Sequence, residues 1–443
     1  MASHLKNNSQ LSALNSPLLD MELLRFTTAG SVDDGKSTLI GRLLYDSKSI
    51  FEDQLEAVKA ASERLGNEEV NLALLTDGLR AEREQGITID VAYRYFATPK
   101  RKFIIADTPG HIEYTRNMVT GASTADAAII LVDARNGIIE QTKRHSYIAS
   151  LLQLPNVILA VNKMDLVDFS EEIFNRIKDE YRQIAQKLGL KKVHYLPISA
   201  RDGDNVVERS PKTPWYQGET LLHLLETLPL WEEKSSAPAR FPVQYVIRPQ
   251  NDRFHDYRAY AGRIASGTYR VGDRVTVLPS FTESTVKAID EAGKSLTEAS
   301  APQSVAIRLE DNVDVSRGDM IVKSDERPQL NANISALVCW LNHRPLSIGA
   351  KYIVRHTSDE AFGIIKDVYF KVNVNTLENI KGDKAVKMND IAHIAIKTSK
   401  PLKYDLYEQN RVTGSLVIID EATFETVGAG MIVKALEDHS FAI

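Results

Sequence analysis

Three short runs in this chain combine glycine, lysine, hydroxyl and carboxylate residues at spacings suited to a nucleotide. Gly30-Ser-Val-Asp-Asp-Gly-Lys-Ser37 fits G-x-x-x-x-G-K-[ST], placed between a strand-like run and a helix-like one. Gly30 and Gly35 permit a turn tight enough to aim the amides of Ser31, Val32, Asp33 and Asp34 at phosphate oxygens. The helix expected from Lys36 adds its positive end. Lys36 is suited to the β- and γ-phosphates. Ser37, followed by Thr38, offers a hydroxyl to Mg²⁺.

The second run, Asp107-Thr-Pro-Gly-His111, follows the apolar stretch ending at Ala106. Asp107 at a strand's C-terminal end suits Mg²⁺, directly or through water, with Thr108 and Pro109 beside it in the nucleotide site. Gly110 can bring its N–H to the γ-phosphate, and His111 can orient the attacking water. The third run, Asn162-Lys-Met-Asp165, follows Val157-Ile-Leu-Ala-Val161. Asp165 can accept from guanine N1–H and its exocyclic amine, a donor pair that adenine lacks. Asn162 is expected to brace the loops, and Lys163 to lie along the base beside Met164. Ser199-Ala200 is expected to complete the pocket through a backbone N–H. Between the first two runs, Thr88 of Gln85-Gly-Ile-Thr-Ile-Asp90 is placed to give its hydroxyl to Mg²⁺ and its backbone to the γ-phosphate, as in nucleotide switches. The order of these elements predicts GTP binding.

Elements of matching kind surround them. Arg25–Ala29, Phe103–Ala106, Ala128–Val132 and Val157–Val161 are buried-strand runs alternating with helix-like stretches such as Glu171–Leu188. This implies a doubly wound α/β domain with a parallel sheet covered on both faces. Pro229–Pro242 holds three prolines and no period, and reads as a linker. Beyond it come short β-branched segments with turns at Gly272-Asp273 and Gly318-Asp319, and a second such set follows Pro328. The expected domains are an N-terminal extension over 1–24, an α/β domain over 25–230, and β domains over 238–328 and 329–443.

The chain has 443 residues, which at roughly 150 per domain suggests about three. Its 54 Lys and Arg against 59 Asp and Glu leave a net charge of −5, which gives no general case for nucleic-acid binding. No apolar run approaches the ~20 residues of a membrane helix. The single cysteine, Cys339, excludes an intrachain disulfide and, among apolar neighbours, reads as a buried structural thiol. The N-terminus lacks a signal-peptide core. Cytoplasm is the expected compartment.

The motifs, their order and the trailing β domains resemble the translation-factor GTPases, the group that includes elongation factor Tu. His111, Asn117-Met-Val-Thr-Gly121 and Gly86-Ile-Thr-Ile-Asp90 carry that resemblance. It implies a P-loop GTPase domain followed by two all-β barrels. Departures narrow it: Ser31 and Asp34 stand where those factors usually carry histidines, and Gln85 where they carry arginine. With Asp77–Asp90, Tyr114-Thr-Arg-Asn-Met118 and Gly121-Ala-Ser-Thr-Ala-Asp126, the chain resembles the large GTP-hydrolysing subunits of bacterial heterodimeric sulfate adenylyltransferases.

That resemblance implies GTP hydrolysis coupled to an uphill reaction on a small adenylating partner. There, ATP and sulfate become adenosine 5′-phosphosulfate and pyrophosphate, a step of sulfate assimilation. The chain lacks the Ser-Gly-Gly-x-Asp-Ser loop of adenylating subunits and the histidine clusters of single-chain sulfurylases. It also lacks a second phosphate loop of the kind found in relatives that continue into an adenylylsulfate kinase. The expected machinery is Lys36, Thr88, Gly110 and His111, with Mg²⁺ on Ser37, Thr88 and Asp107. No nucleic acid and no membrane are expected as partners. Arg80 and Arg83 either line a solvated helix face or supply a cis arginine. The alternative is an elongation-type GTPase delivering aminoacyl-tRNA.

Overall fold

The computed structural model describes residues 21–48, 56, 72, 91–109, 115–230, 236–249, 257–374, 376 and 378–435, with backbone only at 115 and 116. Arg80, Arg83, Thr88, Gly110 and His111 therefore lie outside the described residues, as does most of the N-terminal stretch. The chain divides into two compact units, Met1–Leu230 and Trp231–Ile443.

The first unit is a six-stranded sheet of β1 (Leu23–Ala29), β2 (Ala92–Ala97), β3 (Lys102–Asp107), β4 (Ala127–Asp133), β5 (Asn156–Asn162) and β6 (Val193–Pro197), in the order β2-β3-β1-β4-β5-β6. Every residue of β4 and β5 is buried, which is why both read as unbroken apolar runs. Among the described residues its helices are α1 (Lys36–Asp46), α2 (Thr115–Ala122), α3 (Glu140–Leu151), α4 (Glu171–Lys187) and α5 (Leu221–Thr227). In α4, Ser170 caps the N-terminus by accepting from the Ile173 amide. Phe174, Ile177, Tyr181, Ile184 and Ala185 form its buried stripe at helical spacing.

Two expectations need correction. The sheet is mixed, because β2 pairs antiparallel to β3 at its edge while the other pairings are parallel. The first strand also begins at Leu23, two residues before the expected Arg25, with Leu24 fully buried. Phe96 of β2 stacks on Phe103 with ring centroids 4.5 Å apart, which holds the edge strand in place. In the sheet β1 is flanked by β3 on one side and by β4 on the other. The crevice at β1's C-terminal end is the place where such sheets bind ligands.

The second unit holds two closed six-stranded barrels. The first runs β10 (Arg274–Leu278), β15 (Met320–Lys323), β7 (Arg240–Ile247), β8 (Ala259–Arg263), β14 (Ser304–Leu309) and β11 (Thr282–Glu291), and closes back on β10. Short strands β9 (Thr268–Arg270), β12 (Lys294–Leu296) and β13 (Glu298–Ser300) are appended to it. The second runs β17 (Lys351–His356), β21 (Ser415–Asp420), β22 (Thr426–Ile432), β16 (Gln329–Trp340), β20 (Ile391–Tyr404) and β18 (Asp359–Asn373), and closes on β17, with β19 (Glu378–Lys381) beside β18. Closure leaves few open edges.

Gly272 and Gly318, at φ +93° and +98°, sit in the expected turns. The stretch read as a linker ends earlier than expected, since Arg240 and Phe241 are buried in β7. Arg240 forks onto Asp405 through two 2.9 Å hydrogen bonds, and Lys403 donates to Gly318 O at 2.8 Å. These contacts tie the two barrels together. Cys339 is fully buried in β16. Among the described residues no helix is long and apolar enough to cross a membrane.

Candidate functional site

The loop after β1 turns back on itself as its glycines require. Gly35 has φ +91°, and a Cβ there would stand 2.4 Å from Asn162 Nδ2. Only glycine meets both conditions without displacement. Asp33 takes the left-handed region at φ +70°. The carboxylate of buried Asp34 accepts the Ser31 amide at 2.5 Å, while burial pushes its pKa upward. Val32 lies exposed, and Ser37 and Thr38 are half-buried in the first turn of α1.

Lys36 is 7% exposed and donates to Gly30 O at 2.8 Å and Ser31 O at 2.9 Å. Burial lowers its pKa, opposed first by Asp107 and then by Asp34 and Asp33. Two of its protons hold the loop, and a third remains for an anion. Asp107 ends β3 in a buried position, its Oδ1 accepting the Thr28 hydroxyl at 3.1 Å. Thr108 donates to Thr28 O at 2.5 Å, and Pro109 is buried beside it. The second motif is thereby fastened to β1 directly below the first.

Asn162, at the end of β5, joins the remaining pieces. Its Nδ2 donates to Asp34 O at 2.8 Å and its Oδ1 accepts the Ala200 amide at 2.9 Å. One side chain thus spans the phosphate loop and the Ser199-Ala200 turn. The Ala200 amide is taken by Asn162, and the Ser199 amide donates to Asp204 O at 3.2 Å. Both amides thus have acceptors within the protein. Met164 is buried and its amide donates to Ile198 O at 3.2 Å. Asp165 is half-buried in the short 3₁₀ turn Met164–Val167, which is bracketed by left-handed Lys163 and Asp168.

Sequence reasoning missed four residues here. Asp133, at the end of β4, binds Lys163 Nζ at 3.0 Å and the Arg135 guanidinium at 2.7 Å. Arg42 of α1 donates to the carbonyls of Ala200 and Arg201. His145 of α3 is buried near Lys36, and its Nδ1 has no hydrogen-bond partner among the described residues. Only the placement of Asp133 and Arg135 just after an apolar strand could have flagged them.

Burial, reinforced by Lys36 and Arg144, lowers the His145 pKa from 6.5 to about 3. The unfolded chain takes up this proton below pH 6.5 while the native state refuses it, so stability is complete above that pH and is lost as pH falls. His145→Leu is expected to flatten the acid side of the stability profile. Chemical denaturation should show the wild type losing about 2 kcal/mol more than the variant between about pH 6.5 and about pH 5. Parallel profiles would show that His145 is not the group responsible.

Comparison with known proteins agrees with this geometry. Residues 21–233 match the family described as elongation factor Tu GTP binding domain, and residues 333–433 match the GTP-eEF1A C-terminal domain-like family. The sulfate adenylyltransferase subunit 1 of Aliarcobacter butzleri is 53% identical, over 95% of this chain and 89% of that protein. The protein of the same name from Cellvibrio japonicus is 53% identical over 94% and 88%. The bifunctional enzyme CysN/CysC of Mycobacterium tuberculosis is 51% identical over 93% of this chain and 67% of its own length. A phosphate loop, an aspartate at β3 and a guanine-type motif at β5, on an α/β unit followed by two barrels, are here joined to half-identity across nearly the whole chain: this protein belongs to the sulfate adenylyltransferase subunit 1 family.

Proposed function

We propose that this chain is the GTP-hydrolysing subunit of a two-subunit sulfate adenylyltransferase. Its turnover of GTP drives ATP and sulfate to adenosine 5′-phosphosulfate and pyrophosphate on a smaller adenylating partner. The observation that carries the nucleotide half is Asn162, which holds the phosphate loop and the Ser199-Ala200 turn at once. Base and phosphate recognition are thereby built as a single frame. Identity of about half over nearly the full chain supports the sulfate reading over delivery of aminoacyl-tRNA.

In this reading Lys36 and the amides of residues 30–38 bind the phosphates, and Asp165 with Lys163 binds guanine. The buried Asp107 carboxylate and the Ser37 hydroxyl are hard oxygen donors next to Lys36, a set that fits Mg²⁺, with Thr88 as a further ligand. Mg²⁺ would supply charge neutralisation at the β- and γ-phosphates. His111 orients water and Gly110 senses the terminal phosphate. The complex works in the cytoplasm without nucleic acid or a membrane.

The test is GTP turnover by the chain mixed with the small adenylating subunit. Addition of ATP and sulfate is expected to raise the rate. A rate indifferent to both but stimulated by ribosomes and charged tRNA would overturn the reading.

A further inference from the structure

We infer that Asp133 is a positioning residue for the base site, holding the Lys163 ammonium where the lysine stem will cover the purine. This rests on the guanine-binding role proposed above for Lys163 and Asp165. Asp133 is only 2% exposed and stands beside Asn162 in the β4–β5 register, one residue before Lys163 leaves the sheet. Its carboxylate is surrounded by donors. Oδ1 accepts the Arg135 amide at 2.9 Å and Nε at 3.0 Å, and Oδ2 accepts Arg135 Nη2 at 2.7 Å and Lys163 Nζ at 3.0 Å.

The two cations have different tasks. Arg135 is 49% exposed and clamps the carboxylate through a planar fork, which fixes the direction of Oδ2. Lys163 is mostly covered and meets that oxygen end-on. Its backbone is left-handed, at φ +62°, a conformation unfavourable for a lysine that persists only where its surroundings dictate it. The side chain is therefore ordered before any purine arrives. A ligand then need not freeze four rotatable bonds on binding. Donors on three sides also hold the Asp133 pKa down to about 2 despite its burial, so the carboxylate stays charged through the physiological range.

A lysine that covers the flat of the ring contributes equally to any purine with the same outline, whereas Asp165 reads the edge. The predicted signature follows. Asp133→Asn should weaken GTP, GDP and xanthosine triphosphate about tenfold each, as suits loss of a charged hydrogen bond, with their ratios unchanged. Lys163→Met should weaken them similarly, and the double variant should be no worse than Lys163→Met alone. Arg135→Gln, at a half-exposed position that does not threaten folding, should cost about threefold and likewise add nothing to Lys163→Met.

Titration calorimetry with the three nucleotides reads all of this. Additive losses in the double variants, or full affinity in Asp133→Asn and Arg135→Gln, would overturn the role of Asp133. Asp165→Asn serves as the separate control. If it fails to alter the ratio of GTP to xanthosine triphosphate, the underlying base-site reading is at fault instead.

Discussion

Lys36→Met is expected to bind GTP roughly 100-fold more weakly while the protein without nucleotide melts no lower than the wild type. The two halves have separate causes. Removing a buried cation from a charge-assisted pair with phosphate costs on the order of 3 kcal/mol, and this sets the binding loss. In the chain itself, Lys36 is a desolvated ammonium whose pKa is lowered by burial, so methionine relieves an unfavourable burial. Its hydrogen bonds to Gly30 O and Ser31 O are lost, which loosens the loop and deepens the binding defect. Differential scanning with and without GTP separates the two. The wild type should show a nucleotide-dependent rise in Tm that the variant lacks. A variant that melts much lower in both conditions would make Lys36 a structural residue.

Asp165→Asn should exchange the preferred base. In the proposed base site the wild-type carboxylate would accept two hydrogen bonds from guanine, and an asparagine amide can accept only one while presenting a donor to the guanine amine. Xanthine carries an oxygen at that position, so the amide donor meets an acceptor. The expected outcome is GTP weakened by about 100-fold and xanthosine triphosphate strengthened by a comparable factor, given about 1.5–3 kcal/mol for each bond to a charged group. Competition binding against a fluorescent guanine nucleotide measures both. Unchanged GTP affinity would remove Asp165 from the base site. The half-buried carboxylate sits in a turn whose ends are both left-handed, so the substitution is local and should leave melting unaffected.

The parts of this molecule that were legible in its sequence are those in which local chemistry and burial agree. β4 and β5 are buried on both faces and need apolar residues throughout, so their runs announce a covered sheet. Gly35 had to be glycine twice over, for its φ and for Asn162. β2 was invisible because an edge strand buries only part of one face. Its Ala-Tyr-Arg-Tyr-Phe-Ala carries two exposed tyrosines and one core residue, Phe96. The base site was only partly legible for a different reason. The Asp133 contact with Lys163 joins two strand ends 30 positions apart in sequence, and no local pattern encodes a long-range pair. The acceptors of the Ser199 and Ala200 amides, Asp204 O and Asn162 Oδ1, are likewise set by tertiary packing.

Coupling between GTP hydrolysis on this subunit and sulfate activation on its partner is the step on which the proposed function turns. It is tested most directly by the amount of adenosine 5′-phosphosulfate that the reconstituted pair forms from ATP and sulfate. A far higher yield is expected with GTP than with GDP or a non-hydrolysable GTP analogue, with phosphate released from GTP in step with product. Equal yields with all three nucleotides would contradict it.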